Sequence, residues 1–396
     1  MVAVRQTMIP RFNYSYSLRD TWDCITGQLF NKKPNASYLN DLFPGADIYF
    51  VDSARVGIKY ALLAFDLKPG AQIGIQPYTC SSVLAAIAAA NCKPVFIDIN
   101  EQLSLDYDDL QRKLPGLDAL IVTHTFGIPA HITQIKQLSG QLPVIEDCAH
   151  AFHSRYEGVH VGNFFDAAVF SFGNGKFPSV GSGGLLVINR KKSSERVGAV
   201  LGKLKSSGLI RELTFAGRRF INALIHTRVG ESMLYYLLNE NFLSSKSQQL
   251  SGYPTHERQP YRSVGYAMQR QFTELKSMSI KQRENARYLI DGHNRHYKML
   301  ANVDDTGNSF AVVLLSQRRN ELYSFLRKKG VGAGKHFQHA KSWAMQFGYQ
   351  QGECPNFEQI VGEVLTIPCH YGLIQSDLRK IDQHLTDFAQ TNKSML

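Results

Sequence analysis

Short apolar runs alternate with helical patterns from about Asp47 to Asn189. The runs at 73–75, 95–99, 119–122, 144–146, 167–170 and 185–188 are almost entirely aliphatic or aromatic. Strands buried on both faces of a parallel sheet read this way, whereas half-exposed strands alternate. Between them, 56–66 and 81–91 are rich in Ala, Leu and Ile and predict helices. The rhythm is that of βαβ units, so the expected fold class is α/β with a mostly parallel central sheet.

The rhythm breaks at Lys191. Up to about Ser263 a basic start is followed by Phe220, Leu224, Val229, Met233, Leu237 and Leu238 at helical spacing, which predicts an inserted helical region. Beyond it, 271–294 reads as a long helix. An apolar run at 309–315 and helical patterns at 317–329 and 375–390 suggest a smaller α/β unit. The expected division is a large domain, 1–265, with the insertion at 191–263, and a small C-terminal domain, 266–396.

A chain of 396 residues is expected to form about two domains. Its 44% hydrophobic and 19% charged residues are globular composition, not that of a disordered chain. The net charge of +11 favours anionic partners without naming one. With no nucleic-acid module or aromatic–basic interleaving, a nucleic-acid role is not expected. The excess is concentrated at 190–228, with ten Lys or Arg against Glu195 and Glu212. Six scattered cysteines lack metal-ligand spacing and read as reduced thiols. With no recognisable leader or long apolar span, the expectation is a cytoplasmic protein.

The most informative stretch is Val144-Ile-Glu-Asp-Cys-Ala-His-Ala151, an apolar strand that ends in acids followed by His150. Open α/β sheets bind ligands at such strand ends. A second strand ends in Val169-Phe-Ser-Phe-Gly-Asn-Gly-Lys-Phe177, a glycine-interrupted turn with one lysine, and Gly181-Ser-Gly-Gly184 leads into the next strand. Burial lowers a lysine's proton affinity and makes it a nucleophile towards an aldehyde, as in a Schiff base with pyridoxal phosphate (PLP). Asp147 suits the partner that keeps the PLP ring nitrogen protonated, and Asp52-Ser-Ala-Arg-Val-Gly57 suits its phosphate at a helix start. Taken singly, each piece has a plainer reading: Lys176 as a surface lysine, Asp147 and Ser53 as helix caps.

In order along the chain, these pieces resemble the DegT/DnrJ/EryC1/StrS family of PLP-dependent sugar aminotransferases. The resemblance rests on Ser53-Ala-Arg-Val-Gly57, Gln76-Pro-Tyr-Thr79, Lys93-Pro-Val-Phe-Ile-Asp98, His124-Thr-Phe-Gly127, Glu146-Asp-Cys-Ala-His-Ala151, Phe170-Ser-Phe172 with Lys176, and Cys354-Pro-Asn-Phe with Leu365-Thr-Ile-Pro368. It implies a fold type I enzyme working as a homodimer. An amino-acid donor, commonly glutamate, would supply the amino group for the keto group of a nucleotide-linked sugar, in polysaccharide, lipopolysaccharide or glycosylated-metabolite synthesis. It also implies Lys176 as the lysine that carries the cofactor and moves the proton, and Asp147 as the ring-nitrogen partner. His150 would lie near the ring oxygen, with Ser53, Ala54, Arg55 and Ser171 at the phosphate. The sugar dehydratases related to this family replace the lysine with histidine, so Lys176 favours transamination.

The chain departs from the family pattern at Cys80, where many members place an aromatic ring against the cofactor, and at Ser182, where Glu is frequent. The insertion displaces the segment from which members usually reach the partner subunit's phosphate. Tyr78, His124, His336 and His339 are the expected substrate contacts. His336 and His339 lack a Cys or carboxylate neighbour, and no metal is expected. The basic helices of 191–243 fit either peripheral contact with an anionic membrane or a solvated insertion packed on the large domain or dimer partner, with the second favoured. A keto-cyclitol acceptor, or a protein that binds PLP or a nucleotide without turnover, is the alternative.

Overall fold

The computed structural model describes residues 7–13, 18–30, 35–225, 227–237, 252–254, 257–293, 296–301 and 307–391. Two helices, α1 (Leu18–Leu29) and α2 (Tyr38–Leu42), precede an alternation of strands and helices. The strands are β1 (Asp47–Val51), β2 (Gln72–Ile75), β3 (Lys93–Phe96), β4 (Ala119–Thr123), β5 (Val144–Asp147), the short hairpin β6 (Arg155–Tyr156) and β7 (Val159–His160), then β8 (Ala167–Ser171) and β9 (Gly184–Ile188). Helices α3 (Ala54–Ala64), α4 (Ser81–Ala89), α5 (Tyr107–Lys113) and α6 (Ile132–Ser139) connect them.

Seven strands make one sheet in the order β1-β9-β8-β5-β4-β2-β3. β3, β2, β4, β5 and β8 are parallel neighbours. β9 runs antiparallel to both β8 and β1. The expected parallel sheet is therefore present with one reversed strand. The segment from Phe172 to Gly183 holds no helix to carry a parallel crossover and turns back as a glycine-rich loop. All residues of β4, β5 and β9 are buried, as their apolar runs predict, and β5 buries its two closing acids as well.

The 191–263 region folds, where described, into α7 (Lys191–Leu201), α8 (Leu209–Ile225) and α9 (Arg228–Leu237). Leu238 lies outside the described residues. The apolar stripe expected to pack inward faces out at Leu224, Val229 and Met233. What α8 buries is a mixed face of Glu212, Phe215, Ala216 and Arg219. Glu212 accepts hydrogen bonds from the backbone N–H groups of Arg262 (2.7 Å) and Ser263 (3.4 Å) and from the Ser263 hydroxyl. These residues open α10 (Arg262–His293), which starts nine residues before the predicted helix because its cap comes from another element.

Helix α10 joins two apolar clusters. Val264, Met268 and Leu275 lie in the larger one with the seven-stranded sheet. Ala286 and Leu289 lie in a smaller one with residues of β11 (Val312–Leu315), α11 (Arg319–Lys328), β12 (Val364–Ile367) and α14 (Gln375–Thr391), on which β10 (Lys298–Leu300) packs through Met299; α12 (Ala340–Met345) and α13 (Pro355–Ile360) bury Trp343 and Phe357 in the larger cluster. The proposed 265/266 domain boundary thus falls inside one continuous helix. Ile9, near the N-terminus, belongs to the smaller cluster and bridges to Val331.

Candidate active site

The C-terminal ends of β2, β4, β5 and β8 share one edge of the sheet, and β1, parallel to β8 across β9, ends there as well. Tyr78 and Cys80 follow β2, His124 follows β4, Asp147 ends β5 with His150 just beyond, and Ser171 ends β8 with Lys176 in the next turn. Ser53 and Arg55 follow β1. The topology gathers at one edge residues that are over 100 positions apart in sequence.

Asp147 is buried, and burial pushes its carboxyl above the usual carboxylate range, against the Ala149 N–H it accepts at 3.1 Å and the charge of Lys176. Burial lowers the proton affinity of Lys176, against the opposing pull of Cys80 and Asp147. Lysine and carboxylate are close enough to influence each other's proton affinity. The arrangement suits a nucleophilic amine beside a carboxyl group.

His150 is held flat, stacked on Phe310 at 4.5 Å and 6° and facing Phe126 at 5.7 Å. Its Nδ1 accepts the Phe126 N–H at 3.3 Å, so the proton sits on Nε2, which is buried without a hydrogen-bond partner. Burial, then the charges of Lys176, His336 and Arg11, holds it neutral, well below the usual histidine range. His336 has the same character: its Nδ1 accepts from Arg11 at 2.9 Å and its Nε2 is shielded and unpartnered.

Arg11 was not legible as a site residue. It comes from the N-terminal segment, donates to His336 and Thr366, and fits only because Gly334 has no side chain: a Cβ there would stand 2.1 Å from its Cζ. Phe12 covers the lysine turn from the same side, 3.1 Å from where a Cβ on Gly175 would lie. Arg219 was equally hidden. This buried α8 residue donates to Asn174 Oδ1 at 2.8 Å and to the Ser179 carbonyl at 3.0 Å, bracing the turn on either side of Lys176.

Other expected residues fall differently. Tyr78 is buried with its hydroxyl on the His336 carbonyl at 2.9 Å, so it positions that loop. His124 is a correction: its Nδ1 accepts the Ala130 N–H and its Nε2 meets Glu146 at 3.1 Å, which leaves no atom for a substrate. Glu146 is likewise filled by the Gly162, Phe164 and Phe165 N–H groups. His124, Glu146 and Cys148 bring their ligand atoms within 4.8 Å of one another, but the hydrogen bonds just described already use the histidine and the carboxylate. His339 caps α12 beside Trp343 at the outer side of the loop. Arg55 turns its guanidinium to the Gly252 carbonyl at 2.7 Å.

At the start of α3, Ser53 is extended and its hydroxyl makes no capping hydrogen bond. Gly184 lets this helix start approach β8, since a Cβ there would meet the Phe170 carbonyl oxygen at 2.3 Å and the Ala54 nitrogen at 3.1 Å. Ser171, paired with Gly184, therefore stands next to the first N–H groups of α3. Backbone donors and two hydroxyl residues thus share the start of α3, as an anion requires.

The sequence profile of the DegT/DnrJ/EryC1/StrS aminotransferase family matches residues 48–219 and 266–386, about three quarters of the chain. GDP-perosamine synthase of Escherichia coli O157:H7 is 35% identical over 150 residues, 37% of this chain and 41% of that protein, so the match spans less than half of that relative. Among solved structures, the chain is similar to S. venezuelae DesV, solved with a ketimine intermediate, with a TM-score of 0.75, 19% identity, and 96% and 99% of the two chains covered. It is also similar to DesI, solved in the presence of its TDP-sugar product, with a TM-score of 0.75, 16% identity, and 99% and 95% covered.

Proposed function

The chain belongs to the DegT/DnrJ/EryC1/StrS aminotransferase family and is a PLP-dependent aminotransferase of fold type I; from this premise we propose that it moves an amino group from glutamate to the keto carbon of a nucleotide-linked sugar. The observation that carries the reading is the pairing of half-buried Lys176, whose proton affinity desolvation lowers, with buried Asp147 at the carboxyl edge of the sheet.

The residues fit PLP. Its phosphate needs donors such as the α3 N-terminus with the free Ser53 hydroxyl and Ser171. Its ring nitrogen needs an acid, Asp147, and its ring oxygen needs a donor, supplied by the unpartnered Nε2–H of His150. When bound, PLP supplies an electron sink that stabilises negative charge at the substrate carbon.

The chain's own residues do the rest. Lys176, its proton affinity lowered by desolvation, would be the residue that holds the cofactor and then accepts and returns a proton at Nζ. Asp147 keeps its counter-charge beside that amine and at the ring nitrogen. His150, clamped by Phe310 and Phe126, donates from Nε2 without rotating. The Phe12 and Phe310 rings, 5.9 Å apart, exclude water from the lysine turn. Arg11, half-buried beside His336, offers a cation to the donor's carboxylate. The chain is proposed to act as a cytoplasmic homodimer in polysaccharide or glycosylated-metabolite synthesis.

The test incubates purified enzyme with PLP, glutamate and a panel of nucleotide-linked keto sugars, and measures 2-oxoglutarate and the mass of the sugar product. Amino-sugar formation that disappears in Lys176→Ala is expected. Conversion of glutamate with no sugar aminated across the panel would leave the aminotransferase and remove the acceptor.

A further inference from the structure

The helices of the 191–263 region hold a concavity that amino transfer at Lys176 leaves unused. Helix α8 and the segment 258–261 enclose about 740 Å³ between Arg211, Arg218, Arg258, Thr214, Phe215 and Tyr261. Three arginines and no carboxylate are among the described residues that line it. Tyr261 stacks on Phe215 at 4.2 Å and 13°, and the Arg211 guanidinium lies 5.2 Å over the Tyr261 ring. Arg211 is thus placed by an aromatic surface, which fixes a cation without consuming its hydrogen-bond donors. Its Nη1 is shielded from solvent and has no acceptor among the described residues. A shielded guanidinium donor left without an acceptor is costly, and an anion seated in the cavity would remove that cost.

The concavity lies beside the start of α3. Glu257, next to Arg258, is ion-paired with Lys59 of α3 at 2.5 Å, and Asp52, just before that helix, is pushed up by burial and pulled down by the charges of Arg211, Arg55 and Arg258. Arg55 is engaged by the Gly252 carbonyl, whereas Arg211 on α8 and Arg258 on the 258–261 segment line the cavity. Forked guanidiniums lining an acid-free pocket match a group with several equivalent, multiply charged oxygens, and suit a phosphate better than a single carboxylate.

We propose that Arg211 and Arg258 form a phosphate-binding site built by the inserted helices, which holds a diphosphate or phosphate group next to the α3 N-terminus. The proposal rests on the aminotransferase reading only for the ligand's source: the diphosphate of a nucleotide-linked acceptor, or the phosphate of PLP itself. Either makes the insertion part of ligand recognition.

The test titrates inorganic pyrophosphate into PLP-loaded and cofactor-free protein by calorimetry, in wild type, Arg211→Gln and Arg258→Gln, with PLP retention on dialysis measured in parallel. Binding to the loaded wild type that each substitution weakens about tenfold or more, with PLP retention unchanged, identifies the acceptor's diphosphate as the ligand. Binding only to the cofactor-free protein, with PLP retention weakened about tenfold by the same substitutions, identifies the cofactor's phosphate. Pyrophosphate affinity and PLP retention that both ignore the two substitutions overturn the site. Arg211→Lys, which keeps the charge, serves if a glutamine variant fails to fold, and should bind with intermediate affinity. Because binding is read without turnover, a protein that binds pyrophosphate here yet aminates no nucleotide-linked sugar refutes the proposed acceptor and not the site.

Discussion

Arg219 Nη1 donates to Asn174 Oδ1 at 2.8 Å, two residues before Lys176, although the two partners are 45 positions apart in sequence. The same guanidinium reaches the Ser179 carbonyl at 3.0 Å, so both arms of the lysine turn hang from one buried side chain of α8. In Arg219→Met, two charge-assisted bonds are lost, an expected cost of about 2–4 kcal/mol in stability by urea unfolding. Turnover should fall further than stability accounts for, and added methylguanidinium should restore part of it. Unchanged turnover in a folded variant would show that the turn holds itself.

Gly181 offers a second handle on the same contact. Its φ is +95°, and a Cβ there would stand 1.8 Å from Arg219 Nη1. Gly181→Ala should therefore destabilise the protein both by backbone strain and by expelling the guanidinium. The double variant with Arg219→Ala should be less destabilised than the sum of the two single changes, because the clash has only one partner. Strict additivity by urea unfolding would contradict the contact.

Much of this fold is written locally, and the rest is not, for reasons that particular residues show. The strand runs at 73–75, 119–122, 144–146, 167–170 and 185–188 match β2, β4, β5, β8 and β9 because burial on both faces demands continuous apolar sequence. Strand direction leaves no such mark, and only the glycine-rich 172–183 connection, which lacks a helical pattern, signals that β9 is reversed. Lys176, Asp147 and His150 were legible because they sit on adjacent strand ends within one motif each. Arg11 and Arg219 were not, since their importance comes from partners 325 and 45 residues away. His124 was misread for the complementary reason: its motif is local, but its hydrogen bonds to Ala130 and Glu146 are internal.

Cofactor-free protein should lose stability in acid. Burial first of all lowers His160 to about 3 and His370 to about 4, and holds His150 and His336 well below the usual range. Below about pH 6.5 the unfolded chain binds protons that the native state refuses, so stability falls as pH falls through that window, by about 1.4 kcal/mol per pH unit for each such histidine. It is fully present above about pH 6.5. Urea midpoints measured from neutral pH downwards should show this slope, and His160→Gln should make it shallower. A flat profile to about pH 5 would mean that these rings are protonated in the native state.

Glu212→Gln tests the cap delivered across 50 residues to Arg262 and Ser263. A buried carboxylate at a helix N-terminus is worth about 1–2 kcal/mol, and the amide should forfeit most of that. Hydrogen exchange should rise first at the opening turn of α10 and leave its C-terminal half protected. Uniform exchange along the helix would assign the loss to global unfolding.

The placement of Ile9 against Gly330 and Val331, with Met8 N–H on Ser232 at 2.8 Å, bears on how the molecule is made. Residues around position 9 dock on residues more than 300 positions later, so Arg11 and Phe12 reach the lysine turn only when the C-terminal unit exists. Closing a loop of this length is slow relative to local contacts and adds little further stability cost per residue. A nascent chain can complete its seven-stranded sheet early, yet it remains chemically incompetent until these two distant segments have met.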